Sequence, residues 1–371
     1  MDFCNFVPTI NCLKPPNKWQ RMPPKNLDAK FEALGLQGYP KTATVEVTNR
    51  CNARCGICFI DHTAEHQDLS TEKMYFILDK LAANGVLNVL ISGGEPFLRS
   101  DILQILEHAI GKDFFGLTLY TNGIVLNDDH IQFLIANRQW FTEIKMSAFS
   151  HDPKLNDACF NVPGATEKIV HNAERLAGGG LNVRFSVVAL DCNVDTLQAT
   201  EQFYAQRGFS IQASPFLICT PGKNGTKDPR NLKKFMPRYF NHYSRENIEA
   251  FKKVMNKRLA NPGDHIRLCQ GSVISIMVGP RGDITPCVSF RSMKIGSIFD
   301  QRPLNEILQS SPAYKRLKNM KKTDFEPCRS CRFVGFCDVC PGRIHTATGE
   351  LVYAEPQTCE HARALYSLMR S

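Results

Sequence analysis

No apolar run in this 371-residue chain approaches the roughly 20 residues needed to cross a bilayer. The amino-terminal stretch MDFCNFVPTINCLKPPNK lacks a basic start followed by an apolar segment, so it does not read as a secretory signal. The basic runs carry no interleaved aromatics and no nucleic-acid reading motif. These absences predict a cytoplasmic chain with no membrane and no nucleic acid among its partners. They also remove the usual explanation for its 15 cysteines, because a disulfide framework belongs to small secreted chains. A long, reduced chain with clustered cysteines points to metal.

A hydrophobic fraction of 43% and a charged fraction of 22% are ordinary for a globular chain and allow a sizeable core. The formal net charge is +9, with basic density highest at Lys223–Arg238 and in YKRLKNMKK, Tyr314–Lys322. Such runs read as a solvated face, or as a surface for an acidic partner such as a peptide segment or an electron-donor protein.

Residues 1–41 are rich in proline and polar residues and read as an extension. Short β-branched runs then recur at Ala43–Val47, Val86–Ile91, Leu117–Tyr120, Glu143–Met146, Val183–Leu190 and Ser210–Ala213. Helical stripes lie between them. Met74, Ile77, Leu78 and Leu81 follow a Ser70 cap with Glu72 in the first turn; Ile102, Ile105, Leu106 and Ala109 form a second stripe. Ile169, Val170, Ala173 and Leu176 form a third. Repeated strand–helix units predict an α/β fold, a partial (β/α)6 TIM-like barrel over 42–245, with its chemistry at the C-terminal ends of the strands. From 246 to 371 the elements shorten and seven cysteines appear, which reads as a second domain.

The chemistry is concentrated in short stretches. Cys51, Cys55 and Cys58 follow the first strand on a loop containing Gly56. Three thiolates can take three corners of a cubane cluster, leaving one iron open to a small molecule. After the second strand, Gly93 and Gly94 allow close backbone approach and Glu95 offers an acceptor for an ammonium group. In the C-terminal segment, CRSCRFVGFCDVC carries two Cys-x-x-Cys pairs, which taken alone also fit structural zinc.

Together, CNARCGIC after the first strand, SGGEP after the second and YTNG after the third resemble the radical SAM superfamily. That resemblance implies that the open iron binds the amino and carboxylate groups of S-adenosylmethionine. Reductive cleavage would then release a 5′-deoxyadenosyl radical. It further implies that Ile57 packs the adenine, that Gly93, Gly94 and Glu95 hold the methionyl amine, and that Ser147 contacts the ribose. Asn193 matches a family asparagine without an assigned role. The order of Cys269, GDITPC with Gly282 and Cys287, the four-cysteine run and Cys359 resembles the SPASM extension of these enzymes. By that resemblance Cys328, Cys331, Cys337 and Cys359 bind one auxiliary four-iron cluster. Cys269, Cys287 and Cys340 bind another, its fourth ligand left to His265, a water or substrate. Three clusters in all are expected, with a flavodoxin- or ferredoxin-like electron donor.

The chain departs from the family pattern in places. Ser147-Ala148-Phe149-Ser150 stands where related chains read Ser-Leu-Asp-Gly, and the arginine usual about a dozen residues later is missing near Ala158 and Cys159. Two residues rather than three separate Cys337 from Cys340. Val288 replaces the acidic residue expected of a sulfatase-maturing relative. HTAEH, His62–His66, matches a zinc-protease pattern but precedes the helix cap in a loop, and NGT, Asn224–Thr226, matters only in a secreted chain. Cys4, Cys12, Cys159, Cys192 and Cys219 fall outside both cluster sets. Cys192 and Cys219 lie at strand ends, where a thiol could donate a hydrogen atom.

CDVCPGRIHTATGELVYAEPQTC looks like the corresponding segment of peptide maturases. The leading expectation is an oxidoreductase that cross-links a ribosomally made peptide. With only 41 residues before the core, leader recognition would fall to a separate protein or to the basic surface. The rivals are a radical dehydrogenase or epimerase of an aminoglycoside or amino acid derivative, and a non-catalytic zinc or electron-transfer protein.

Overall fold

A computed structural model describes residues 40–60, 68–112, 114–219, 228–260, 275–337, 339–351 and 355–370. Cys4, Cys12, His62, His66, Asn224, Thr226, His265 and Cys269 lie outside the described residues.

Six strand–helix units build the first part: β1 (Thr42–Glu46), α1 (Thr71–Ala83), β2 (Asn88–Ser92), α2 (Ile102–Ile110), β3 (Gly116–Thr121) and α3 (Asp128–Ala136). They continue with β4 (Phe141–Ala148), α4 (Pro153–Phe160), α5 (Ala165–Gly178), β5 (Val183–Val188), α6 (Leu197–Ala205) and β6 (Ser210–Ser214). All six strands fall where the β-branched runs place them, with ends moved by a residue or two. The Ser70 side chain caps α1 by accepting from the Lys73 backbone N–H at 3.4 Å. The three helical stripes turn toward the sheet, with only Val170 half-buried among them.

Neighbouring strands from β1 to β6 pair in parallel, so the twisted sheet with helices outside is a partial barrel. Strand alternation divides its two faces. Ala43, Val45, Val89, Ile91, Leu117, Leu119, Ile144, Met146, Phe185 and Val187 are buried beneath the helices. Most alternate positions are polar, among them Thr44, Thr118, Tyr120, Glu143, Lys145, Ser147, Arg184, Ser186 and Gln212, with Leu90 and Val188 as apolar exceptions. On that face Lys145 donates to the Tyr120 hydroxyl at 3.2 Å, and Glu143 lies 2.7 Å from Arg184. The concave side is thus wet and charged, and the convex side is dry.

The C-terminal part contributes α7 (Leu232–Phe240), α8 (Arg245–Ala260), β7 (Ser275–Val278), β8 (Asp283–Thr285) and β9 (Gly296–Ser297). Then come α9 (Leu304–Ser310), α10 (Pro312–Asn319), α11 (Glu326–Arg329), α12 (Pro341–Thr348) and α13 (Pro356–Arg370). β7 pairs in parallel with β1, and β8 and β9 follow antiparallel, giving one nine-stranded sheet in the order β6-β5-β4-β3-β2-β1-β7-β8-β9. The sheet therefore runs through the boundary expected at 246.

Side chains stitch the same junction. The Asn84 side chain at the end of α1 accepts from the Leu304 backbone at 2.8 Å, and Lys80 donates to the Asp300 carbonyl. The strongest stitch joins Glu46, at the end of β1, to Arg291. Two parallel bonds of 2.5 and 2.8 Å link guanidinium and carboxylate, and Glu46 is only 2% exposed. The Arg291 guanidinium also lies 4.9 Å from the Phe59 ring centre, beside Cys58.

Removing one partner of a buried pair leaves an uncompensated charge. Arg291→Met is therefore expected to lower stability by ~3–5 kcal/mol. The double variant Glu46→Gln with Arg291→Met should recover much of that loss. Denaturant unfolding of the three chains checks this, and a single variant as stable as the parent would contradict it.

Candidate functional site

The loop after β1 carries Cys51, Cys55 and Cys58, all half-buried. Its local structure is set by its own backbone and by neighbours. The Cys58 N–H donates to the Cys55 carbonyl at 3.1 Å, and Arg54 N–H to the Phe160 carbonyl at the end of α4 at 3.0 Å. The sulfur of Cys51 accepts from Ala53 N–H at 3.4 Å and from the Asn122 side-chain amide at 3.7 Å. Burial raises the Cys51 thiol. At Cys55, burial together with Cys58 and Cys51 pushes the thiol up to about 12. Cys51 and Cys55 therefore resist becoming thiolates unless positive metal lies beside them. A donor set of this kind, with hydrogen bonds aimed at sulfur, fits an iron–sulfur cluster.

The glycines after β2 make a close approach, and the chain segment they approach is the one that leads into Cys51. Gly93 has φ of 151°, and a Cβ there would stand 2.4 Å from the Thr48 carbonyl oxygen. A Cβ on Gly94 would meet the Arg50 carbonyl oxygen at 2.2 Å. Backbone bonds from Gly94 to Thr48 and from Glu95 to Arg50, both 2.8 Å, zip the two loops together. Arg99 adds a second fastening, donating to the carbonyls of Val47 at 2.9 Å and Leu69 at 3.0 Å.

Glu95 is fully buried. One carboxylate oxygen accepts from Phe97 N–H at 3.2 Å and from the Thr121 hydroxyl at 2.8 Å. The other accepts from Asn122 N–H at 2.7 Å. The side chain expected to receive an ammonium thus also bolts the ends of β2 and β3 together. Through Asn122, that bolt reaches the sulfur of Cys51.

Ile57 is half-buried against the core, and Ser147 sits on the concave face of β4 opposite Ser186 of β5. Asn193, for which the sequence suggested no role, is fully buried. It donates to the carbonyls of Phe149 at 2.8 Å and Val188 at 3.0 Å and accepts from Leu190 N–H at 2.7 Å. It holds the ends of β4 and β5 together as Glu95 holds those of β2 and β3.

The two thiols considered as hydrogen donors sit in different surroundings. Cys192 is exposed, with its sulfur 4.0 Å from that of Cys159. Cys219 is buried, and the Gln357 amide lies 4.0 Å from its sulfur. Gln357 also bridges the backbone of Leu217, at 2.8 and 3.1 Å, so the segment after β6 is seamed to the start of α13. Beside this seam Arg343 pairs with Glu355 through two 2.8 Å bonds and stacks 4.3 Å from the Phe216 ring.

The C-terminal cysteines form a coiled loop. Cys331 N–H bonds to the Cys328 carbonyl at 3.2 Å, Val334 to Cys331 at 3.1 Å, and Cys337 to Val334 at 3.3 Å, so one turn separates Cys328 from Cys331 and two separate Cys331 from Cys337. Cys359, in the first part of α13, comes within electrostatic reach of Cys328 and Cys331. These four could hold one cluster. Cys287 precedes a short helical turn, Val288–Phe290, and Cys340 caps α12 within electrostatic reach of Arg343. Among the described residues no three Cys, His, Asp or Glu side chains close around a single ion.

The basic run at Tyr314–Lys322 is only partly the solvated face that its composition suggests. Lys315, Arg316, Lys318 and Lys321 are exposed, whereas Lys322 is 3% exposed and points into the cysteine loop. Charge counting could not find this. The only sequence signal is its place six residues before Cys328.

Burial pushes the Glu95 carboxyl up to about 7, overcoming the three donors that favour its charged form. The folded chain therefore holds that proton more tightly than the unfolded chain, and this contribution to stability is lost as pH rises through about 7. Glu95→Gln would set an amide against a backbone N–H and cost ~1–3 kcal/mol. The stability gap between parent and variant should narrow as pH rises from about 5 to about 8. Denaturant titrations across that range check it, and a gap that widens would contradict the assignment.

The protein-family models match the chain twice: the Radical SAM superfamily over residues 45–203 and an iron–sulfur cluster-binding domain, SPASM, over residues 269–332. Among curated proteins, the antilisterial bacteriocin subtilosin biosynthesis protein AlbA of Bacillus subtilis is 26% identical over 316 residues, covering 81% of this chain and 67% of that protein. The AdoMet-dependent heme synthase of Methanosarcina barkeri is 20% identical, covering 87% and 97%. The mycofactocin maturase MftC of Mycolicibacterium smegmatis is 24% identical, covering 86% and 81%. Among solved structures, SuiB of Streptococcus suis bound to S-adenosylmethionine superposes with a TM-score of 0.66 at 19% identity, over 90% of this chain and 80% of that one. The cysteine loop after β1 lies within the first match, and Cys269, Cys287, Cys328 and Cys331 lie within the second, which ends before Cys337, Cys340 and Cys359; the chain belongs to the radical SAM enzymes with a C-terminal SPASM domain.

Proposed function

We propose that this enzyme oxidatively cross-links a ribosomally synthesised peptide, with S-adenosylmethionine and iron–sulfur clusters as cofactors. The observation that carries the reading is the joining of two thiol sets by one sheet. Cys51, Cys55 and Cys58 lie beyond β1, and the strand paired with β1 leads into the segment that bears Cys287 and the C-terminal loop. Names of relatives support the substrate class: a bacteriocin biosynthesis protein and a mycofactocin maturase.

In this reading Cys51, Cys55 and Cys58 hold the cluster that binds S-adenosylmethionine. When bound, that pair supplies a 5′-deoxyadenosyl radical able to abstract a substrate hydrogen. The chain's own residues position and shield. The zipped Gly93–Gly94 backbone and Glu95 take the methionyl end, Ile57 packs the adenine, and Ser147 faces the ribose from the concave side. Asn122 and Ala53 steady the Cys51 sulfur. Cys328, Cys331, Cys337 and Cys359 hold one auxiliary cluster. Cys269, Cys287 and Cys340 hold a second, which makes three. Redox-active auxiliary clusters suit oxidation, because a substrate radical must lose an electron on the way to a cross-link. The electron donor is a flavodoxin- or ferredoxin-like protein in the cytoplasm. A separate leader-binding protein or the exposed basic residues of α10 meet the peptide.

Anaerobic reconstitution should yield about twelve irons per chain if three four-iron clusters form. With reductant and S-adenosylmethionine the loaded enzyme should release 5′-deoxyadenosine, and a peptide co-expressed with it should lose the mass of two hydrogen atoms. A product of unchanged mass but altered stereochemistry would transfer the assignment to a hydrogen-donating thiol such as Cys192 or Cys219. Absence of 5′-deoxyadenosine would sink the radical reading.

A further inference from the structure

A cavity of about 170 Å³ lies where α6 and the corner between α7 and α8 meet the outer edge of β6. β6 ends the sheet, and its residues Ile211 and Ala213 share the convex face with Phe185 and Val187. The cavity therefore stands on the far side of the sheet from Lys145 and Ser147. Three of the side chains lining it present acceptors, and the bonds around them fix which atoms those are. His242, 5% exposed, donates from Nδ1 to the Tyr239 carbonyl, so its Nε2 keeps a lone pair and faces the Glu201 carboxylate at 3.5 Å. The Tyr239 hydroxyl gives its one hydrogen to the Ala213 carbonyl at 3.1 Å. In the 3.1 Å contact between the two phenols Tyr243 is then the donor, and its oxygen has only lone pairs left. Tyr243 lies within electrostatic reach of Glu201, and its ring centre is 4.0 Å from that of His242. Burial pushes the Glu201 carboxyl up to about 7 and the His242 imidazole down, so His242 supplies no cation to the carboxylate. The side-chain amides of Gln202 and Asn247 also line the cavity, and among the described residues neither bonds to Glu201.

We propose that this cavity binds a primary alkylammonium group, whose three hydrogens go to Glu201, to His242 Nε2 and to the Tyr243 oxygen. An ammonium has three donors and no acceptor, which matches that set. Its charge gives the carboxylate a counter-ion, and hydrogen bonds between ions are the stronger kind. Phe209 and the Tyr243 ring offer apolar walls to the alkyl stem. A cavity near 150 Å³ admits a guest about the size of benzene, so this one takes a stem of about four carbons and nothing drug-sized. Other cations fit less well. A guanidinium holds its donors in one plane, suited to pairing with a single carboxylate. A quaternary ammonium would satisfy the ring faces and none of the lone pairs. A zinc ion would need a third imidazole, carboxylate or thiolate, and among the described residues no such trio is present. The same ammonium ends a lysine side chain and a free alkyl diamine.

The test is an anaerobic calorimetric titration of the full-length, cluster-loaded enzyme with n-butylammonium, at about pH 8, where the Glu201 carboxyl is mostly ionised. One saturable site per chain is expected. Butanol, n-propylguanidinium and n-butyltrimethylammonium should each bind at least about tenfold more weakly. Glu201→Gln should weaken n-butylammonium by about tenfold or more, and Tyr243→Phe, which keeps the ring, by about threefold or more. The probe series on the parent enzyme decides even where a variant fails to fold. No saturable site, equal binding of the quaternary cation, or binding indifferent to Glu201→Gln would each overturn the proposal. Zinc ion that displaces the probe at equal concentration would overturn it in favour of a metal site. Two further ligands separate the sources. N-acetyl-lysine N-methylamide binding more tightly than butanediamine assigns the site to a lysine of a polypeptide, and the reverse order assigns it to a free diamine; either sustains the ammonium site.

Discussion

The carboxylate of Glu46 has almost no access to water and is held by two bonds from Arg291. Glu46 ends the strand that leads into the three-cysteine loop. Arg291 lies four residues beyond Cys287 and stacks on Phe59, next to Cys58. One ion pair thus fixes the exit of β1, the far end of the cysteine loop and the first described thiol of the C-terminal segment against each other. A buried pair is seldom worth more than a well-packed apolar contact in net stability, but it tolerates little misalignment. Its effect here is geometric: the β1 exit with its cysteine loop and the segment after Cys287 cannot shift past each other without breaking it.

The same use of buried polar groups recurs at the strand ends. Glu95 joins β2 to β3, Asn193 joins β4 to β5, and Arg99 joins the loops that follow β1 and β2. Chain leaving a parallel strand has backbone groups without ladder partners, and these side chains satisfy them. They also make the C-terminal rim of the barrel rigid, as a site must be when it has to place a reactive group against one particular hydrogen. The concave face between the rims keeps its ionic lining of Glu143, Lys145 and Arg184, so apolar burial is left to the convex side.

Strand positions, the helical stripes and both cysteine groups were legible in the sequence because each follows from spacing. Alternation identifies a half-buried strand, and a 3.6-residue period identifies a buried stripe, whatever the rest of the chain does. What spacing could not convey was pairing over long distance. Nothing local in Ser275–Val278 says that it lies beside Thr42–Val45, so the sheet's passage across residue 246 was invisible. Lys322 looked like its solvated neighbours because burial depends on the loop that folds over it. Glu95 read as a ligand contact from its turn motif alone, while its bonds to Thr121 and Asn122 depend on a strand 26 residues away.

The placement of β7 bears on how metal and fold depend on each other. A cysteine-rich segment without other structure is ordered mainly by its metal, and such segments unfold when the metal leaves. Here Ile276, Met277 and Val278 are buried in the sheet, Leu304 is bonded to the end of α1, and Gln357 seams α13 to the chain after β6. The frame around the C-terminal thiols therefore rests on apolar burial and hydrogen bonds that need no iron. On the cluster assignment proposed above, what remains for metal to order is local: the turn from Cys328 to Cys337, whose backbone bonds are short-range and into which Lys322 donates. A frame formed in advance can hold the thiols at a fixed separation while a cluster is inserted. In the proposed assignment the same frame would keep that cluster at a fixed distance from the site beyond β1.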